Sequence, residues 1–264
     1  MVASVKAKRQ RRGHGTSRKA PLGKAGGRRG APAEAEFLRA RSEEQREVRR
    51  CAILATAAAM LEQMPVAEVG LNELARRVGL AKSNVLRYFE SREAVLLELL
   101  DQAWKNWLAA LPTELESGVR QGAPLRERVE QFAATFARSL AARQVFCDLF
   151  AARAAVLEHN VSTEVALRYK RTSIANAAAA GALLGRCLPE LGERVQEVCN
   201  YAFLATTAIW THSRASKSVL AAYEADQSLE AFRIQFAPTL QVMLVTLVTG
   251  ALARAAPASG ARKA

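Results

Sequence analysis

The chain has 264 residues, with 38 Lys and Arg against 25 Asp and Glu, for a formal net charge of +13. Residues 1–33 hold ten of the basic side chains (Lys6, Lys8, Arg9, Arg11, Arg12, Arg18, Lys19, Lys24, Arg28, Arg29) and no acid. The excess is thus concentrated in the first eighth of the chain, which points to an anionic partner and excludes a uniformly basic, histone-like body.

Residues 1–41 read as a disordered basic arm, because Gly, Lys and Arg without bulky apolar residues bury too little surface to offset ordering entropy. Ser42 and Gln45 form a capping box, and Ile53, Ala57, Met60, Leu61 and Met64 follow at helical spacing. A first helix is therefore predicted from Ser42 to Met64, with Pro65 just past its end. A short second helix is predicted over 71–77, with Leu74, Ala75 and Val78 on its buried side and Gly79 in the position of a C′ glycine. A third begins near Lys82 and closes around Phe89. Ser91 caps a long fourth, whose Val95, Leu96, Leu99, Leu100, Ala103, Trp104, Trp107 and Leu108 keep helical spacing until Pro112. Pro124 suits the first turn of a fifth, marked by Val129, Phe132, Ala133, Phe136 and Leu140 on one face. Further helices are predicted over 143–158, 162–186, 192–214 and 228–253, with Asn160 or Ser162 as a cap, and 256–264 reads as a disordered tail. About nine helices and no strand make the fold class all-α.

The informative segment is 70–97, GLNELARRVGLAKSNVLRYFESREAVLL. Two short helices joined by a tight turn containing Gly form the helix-turn-helix pattern, which places its second helix in a major groove about 12 Å wide. Val85 and Phe89 fall one turn apart and face a core, while Ser83, Asn84 and Arg87 fall on the opposite side. Asn pairs bidentately with adenine and Arg with guanine, so this face has the chemistry to read bases.

The first helix followed by this segment resembles the DNA-binding domain of the TetR/AcrR family of bacterial transcriptional regulators. The family signature, I-A-x-x-A-G-V-S-x-x-x-x-Y-x-Y-F-x-x-K-x-x-L, appears here as Leu74, Ala75, Val78, Gly79, Leu80, Ala81, then Leu86, Tyr88, Phe89, Arg92 and Val95. Gly70 stands where relatives carry a Thr or Ser cap, Ala81 replaces a Ser cap, Leu86 replaces a Tyr that often touches phosphate, and Arg92 replaces Lys. Carried over by position, the resemblance implies groove contacts by Asn72, Lys82, Ser83, Asn84 and Arg87, and phosphate contacts by Tyr88 and Arg92. Bland readings compete for several of these: Tyr88 as a packed ring with its hydroxyl at the rim, Ser83 as a helix starter, Lys82 and Arg87 as a solvated charged face.

The resemblance also implies a DNA-binding domain over 42–92 and an effector-binding and dimerisation domain over 93–255. It further implies a repressor that leaves a palindromic double-stranded operator when a small effector binds. The last two helices are rich in Ala, Leu and Val, which suits close packing across a two-fold axis, so a homodimer through them is expected. Trp104, Trp107, Phe132, Phe136, Phe150, Tyr169, Tyr201 and Phe203 are the candidate lining of an effector pocket, for a largely apolar or aromatic ligand. Plain core is the competing reading for an aromatic stripe at helical spacing.

Other classes fit poorly. No uncharged apolar run of 18 residues occurs, the nearest, 236–252, being broken by Pro238, Thr239 and Gln241, so no membrane partner is expected. The N-terminus shows no secretory h-region, and six Gly and two Pro among the first 33 residues weigh against a transit helix. Cys51, Cys147, Cys187 and Cys199 show no C-x-x-C spacing and no paired His, which disfavours a disulfide framework and a metal site and fits a reducing cytoplasm. No cofactor is expected. His14, His159 and His212 come with no carboxylate pair, Ser-His spacing or phosphate loop, so no catalytic residues and no enzyme are expected. The rival class is a nonspecific nucleoid-type protein that binds nucleic acid mainly through its basic arm, with steep salt dependence and little sequence preference.

Overall fold

Between Ala33 and Met64 the chain has neither Gly nor Pro, and strong helix formers dominate it. The computed structural model describes residues 31–255, of which 31–42 and Ala255 by backbone alone, and this stretch forms one helix, α1 (Ala31–Leu61). Pro32 falls in the first turn, where its missing N–H breaks no helical bond. The helix thus begins eleven residues before the expected Ser42. Ser42 and Gln45 lie inside it instead of capping it, and residues 31–41 are helix, not arm. The rest of the expected arm, residues 1–30, and the expected tail, 256–264, lie outside the described residues.

A 3-10 turn (Val66–Glu68) leads to α2 (Leu71–Val78), α3 (Lys82–Val85) and α4 (Arg92–Gly118). Then come α5 (Leu125–Ala141), α6 (Gln144–Ala152), a π-helical turn (Arg153–Leu157) and α7 (Thr163–Cys187). After a second 3-10 segment (Pro189–Arg194) follow α8 (Val195–Ser213), α9 (Lys217–Ala225), a third 3-10 segment (Gln227–Phe232) and α10 (Phe236–Ala255). No strand occurs among the described residues. Residues 45–255 belong to one compact unit with a continuous core.

Several boundaries differ from the expected ones: α3 ends at Val85 and not around Phe89, with 86–88 a turn, and α4, α9 and α10 differ for local reasons. α4 runs through Pro112 to Gly118, because Leu111 and Leu115 continue its buried stripe and outweigh the lost backbone bond. Gly118 ends it where α5 comes closest: a Cβ there would lie 2.2 Å from Thr135 Oγ1. Residues 217–225, expected as a linker and the approach to the last helix, form α9, capped by Ser216 Oγ accepting from Val219 N (3.3 Å). Asp226 then breaks the chain direction, its Oδ1 accepting from Ser228 N (2.9 Å), and α10 starts only at Phe236. By length and composition Phe236–Arg254 is apolar enough to cross a membrane, with mean hydropathy 1.7, despite the Pro238, Thr239 and Gln241 interruptions. Leu240, Leu244, Val248 and Ala251 nonetheless make it a packed helix here, buried against α5 and α8.

α4 is the axis of the structure. Its 27 residues span about 40 Å at the helical rise, and Val95, Leu96, Leu100, Trp104, Trp107 and Leu111 are buried along it. α5, α6 and α7 pack around it, and α8 closes over α6 and α7. Cys147, Cys187 and Cys199 are buried unpaired in this body, burial raising the Cys199 thiol to about 12 and pushing the other two upward.

Gly79 ends α2 in the left-handed region (φ 76°), with Leu80 N donating to Ala75 O (2.9 Å) and Gly79 N to Arg76 O (3.2 Å), a Schellman closure. No atom lies within 4 Å of a Cβ placed there, so Gly79→Ala introduces backbone strain without a clash. The expected cost is about 1–2 kcal/mol. Chemical denaturation of the variant checks it, and an unchanged midpoint would show that the turn does not depend on glycine.

Candidate functional site

The reading surface is built by burial on one side and exposure on the other. Leu74, Ala75, Val85 and Phe89 are buried, and they fix α2 and α3 against α1 and α4. Asn72, Lys82, Ser83, Asn84 and Arg87 are all exposed. α3 itself is short: Ala81 offers only its carbonyl, which accepts from Asn84 N (2.9 Å) and Val85 N (3.2 Å), and no side chain caps it. Leu86, at the position of the family's Tyr, is exposed and can make no hydrogen bond to phosphate.

Two of the expected contacts look different in space. Tyr88 is half-buried against the core, its ring packed and its edge open. Arg92 turns inward: Nη2 donates to the Val66 carbonyl (3.1 Å) and the buried Nε lies 3.9 Å from Glu93 Oε1, so the side chain braces the 3-10 turn against the start of α4. On α2, Glu73 accepts from Arg76 (2.6 and 2.8 Å) and Arg77 (2.7 Å), which hold its carboxyl down at about 2. Arg77 also donates to Gln63 (2.7 Å), tying α2 to the chain just after α1.

Residues absent from the sequence reading hold this surface to the body. Arg50 on α1 donates from Nε to Glu98 Oε1 on α4 (3.0 Å), and from Nη2 to the other carboxylate oxygen. Its Nη1 donates to the Tyr88 carbonyl (3.2 Å), and its guanidinium lies 4.4 Å from the Phe89 ring centroid. Glu90 Oε1 accepts from Ser162 N (2.5 Å) at the start of α7, where Ser162, one of the two expected caps, receives Val165 N (3.3 Å).

The eight candidate pocket residues separate into groups. Trp107, Phe132, Phe136 and Phe150 are core: Trp107 meets Phe136 edge-on at 5.4 Å, Phe132 lies 5.5 Å from Phe136, and Phe150 meets Trp104 edge-on at 5.1 Å. Phe146, between them, stacks on Trp107 at 5.6 Å. Tyr201 lies on the exposed side of α8. Trp104, Tyr169 and Phe203 come together around a 360 Å³ cavity bounded by α4, the π-helical turn, α7 and α8. Ser173 completes this wall; its spacing from Tyr169, one helical turn on, was the available signal. Trp104 Nε1, Tyr169 Oη and Ser173 Oγ are buried with no hydrogen-bond partner among the described residues.

A larger cavity of 810 Å³ lies between Met64 and Pro65, Trp107 on α4, and Arg143 and Asp148 beside α6. Three of its four charged groups are engaged: Arg143 donates to Glu114 (2.5 Å), and Asp148 Oδ1 accepts from Trp210 Nε1 (2.8 Å) and lies 3.9 Å from Arg214 Nε, while Glu62 is exposed. The smaller cavity is an open groove, floored by the buried Trp104, Tyr169 and Phe203 and rimmed by the exposed Ile174, Leu204 and Lys170.

A helix-turn-helix with an exposed polar row, mounted on a larger all-helical body, defines a DNA-binding regulator class. The family model described as "Tetracyclin repressor-like, C-terminal domain" matches residues 101–255, and that described as "Bacterial regulatory proteins, tetR family" matches 53–99. The chain belongs to the TetR family of bacterial regulatory proteins.

It is similar to the HTH-type transcriptional regulator EthR of Mycobacterium tuberculosis, 42% identical over 69 residues, 26% of this chain and 32% of that protein. The Mycolicibacterium smegmatis EthR is 36% identical over 81 residues, 28% of this chain and 37% of that one. The chain therefore spans about a third of the length of these curated relatives. Among solved structures, a TetR regulator from Rhodococcus sp. RHA1 is 13% identical with TM-score 0.46, covering 80% of this chain and 98% of that one. FadR from Bacillus subtilis, solved with stearoyl-CoA, is 12% identical with TM-score 0.46, covering 76% and 98%.

Arg87 presents an unobstructed guanidinium on the face opposite Val85 and Phe89. Arg87→Ala is expected to weaken specific DNA binding by about 1–3 kcal/mol and to relax sequence preference at one base pair. Fluorescence anisotropy against a set of single-base operator variants measures both, and unchanged affinity and preference would remove Arg87 from the reading set.

Proposed function

We propose that the chain is a DNA-binding transcriptional repressor of the cytoplasm, acting at the nucleoid on a palindromic operator and released by a small apolar or aromatic effector. The observation that carries this reading is the continuity of α4. Its first turns hold the reading surface through Glu98 and Arg50, and two turns further on Trp104 walls the 360 Å³ cavity. In this reading 42–92 is the DNA-binding domain, with its first helix beginning earlier, and 93–255 binds effector and dimerises. Asn72, Lys82, Ser83, Asn84 and Arg87 meet base edges, Tyr88 meets phosphate, and Arg92 acts as an internal brace.

Dimerisation supplies what one four-residue α3 lacks, since a single short reading helix covers too few base pairs for useful discrimination. The partner is a second copy, docked on the outward faces of α8 and α10. There Leu204 is 60% exposed and Val242 68% exposed, with Tyr201 and Met243 also open, an apolar stretch suited to isologous helix packing.

An effector in the cavity is then felt by α4 and α7. Tyr169 lines both this cavity and a neighbouring one that contains Arg50 and Glu98, so a ligand that moves Tyr169 acts next to the contact holding the reading surface. Ligand and operator oppose one another by linkage. Repression is the mode that the family resemblance implies.

Nonspecific nucleoid binding through the basic arm gives the exposed polar row no role. Gel shifts on the chain's own promoter region and on scrambled DNA, with the full chain and with a truncation starting at Ala31, separate the two readings. Truncation is expected to weaken binding and flatten its salt dependence while the preferred site stays the same. Equal binding of scrambled DNA by the full chain would overturn specific recognition.

A further inference from the structure

One residue of the reading surface breaks its polarity. Residues 81–84, 86 and 87 are exposed, and Leu86, 41% exposed, is the one large apolar side chain open to solvent on the helix-turn-helix. Its backbone continues the winding of α3: φ is −65° and ψ −11°, Leu86 N donates to the Lys82 carbonyl (3.0 Å), and Arg87 N donates to Asn84 O (3.2 Å). Leu86 therefore lies one turn beyond Lys82 and shares an edge of the exposed row with Lys82 and Ser83, four and three residues back. Its two chain neighbours divide the surface, Val85 facing the core and Arg87 facing solvent.

Few features of a DNA duplex suit such a side chain. Against a phosphate it would strip water from an anion and return no hydrogen bond, which is unfavourable. In the major groove the base edges present donors and acceptors, with one apolar group among them, the C5-methyl of thymine. A leucine that neither donates nor accepts, set in a row of Lys, Ser, Asn and Arg, is complementary to that methyl and to no other base-edge group. The substitution that costs this position a phosphate contact thus supplies an apolar one.

We infer that Leu86 is a specificity-determining residue, which reads one thymine in each half-site by burying its C5-methyl group. This rests on the helix-turn-helix being the DNA-reading surface, and the experiment separates the two. An operator is obtained by in vitro selection with the full-length chain. Its thymines are replaced one at a time by deoxyuridine, which removes the methyl and nothing else. Wild type, Leu86→Ala and Leu86→Met are titrated against each duplex by fluorescence anisotropy.

One position in each half-site is expected at which deoxyuridine weakens wild-type binding about 4-fold, the worth of one buried methyl group. At that position Leu86→Ala should bind the thymine and deoxyuridine duplexes equally, whereas Leu86→Met, which keeps an apolar side chain of similar volume, should retain the discrimination. If every replacement affects wild type and Leu86→Ala alike, Leu86 reads no methyl group and the inference is overturned, while the selected operator still upholds specific DNA reading. If selection enriches no sequence over scrambled DNA, the reading function itself fails and the inference falls with it.

Discussion

Arg50 is the contact on which the rest depends. One guanidinium from α1 grips the Glu98 carboxylate on α4, the Tyr88 carbonyl in the turn after α3 and the Phe89 ring beside it. α3 is four residues long and uncapped, far below the length at which a helix holds its own shape. Its orientation is therefore set from outside, by the burial of Val85 and Phe89 and by the capture of the Tyr88 carbonyl in the turn that follows it. Arginine suits this task because its planar fork makes several directional bonds at once and stacks on an aromatic face.

In the proposed function the same geometry is what would connect the cavity to the DNA-reading surface. Glu98 and Trp104 are six residues apart on one helix, about 9 Å along its axis. Packing in this interior is dense: Trp104, Trp107, Phe136, Phe146, Phe150 and Phe203 form a connected aromatic cluster, so a displaced wall moves its neighbours. The Glu90–Ser162 bond adds a second link between the reading region and α7. α4 and α7 both line the cavity and both begin beside the helix-turn-helix region, so in the proposed function their relative position is what effector and operator would compete to set.

The reading region was legible in the sequence because its determinants are local. Gly79 at the turn, Leu74 and Ala75 one turn apart from their partners, and the Ser91 cap each act within a few residues, and each takes the expected place. The start of α1 was not, because a capping box is a local preference and the helix-forming run from Ala33 overrides it. Pro112 failed as a stop for the converse reason, since Leu111 and Leu115 bind that turn into a core the local signal does not contain.

The cavity was the least legible part. Helical spacing is the same for an aromatic that packs on another aromatic and for one that faces a ligand, so Phe132, Phe136 and Trp104 look alike in sequence. What distinguishes Trp104 is the missing acceptor for its N–H, which only the fold reveals. Arg50 and Glu98, 48 residues apart in sequence, escaped for the same reason.

The most direct test is Arg50→Lys, which preserves the charge but cannot form the fork or the stacked contact. On an operator obtained by in vitro selection, specific affinity should fall about 10-fold while affinity for scrambled DNA stays unchanged. Wild-type operator affinity in this variant would show that the reading helix is not held through Arg50 and would contradict the proposed coupling.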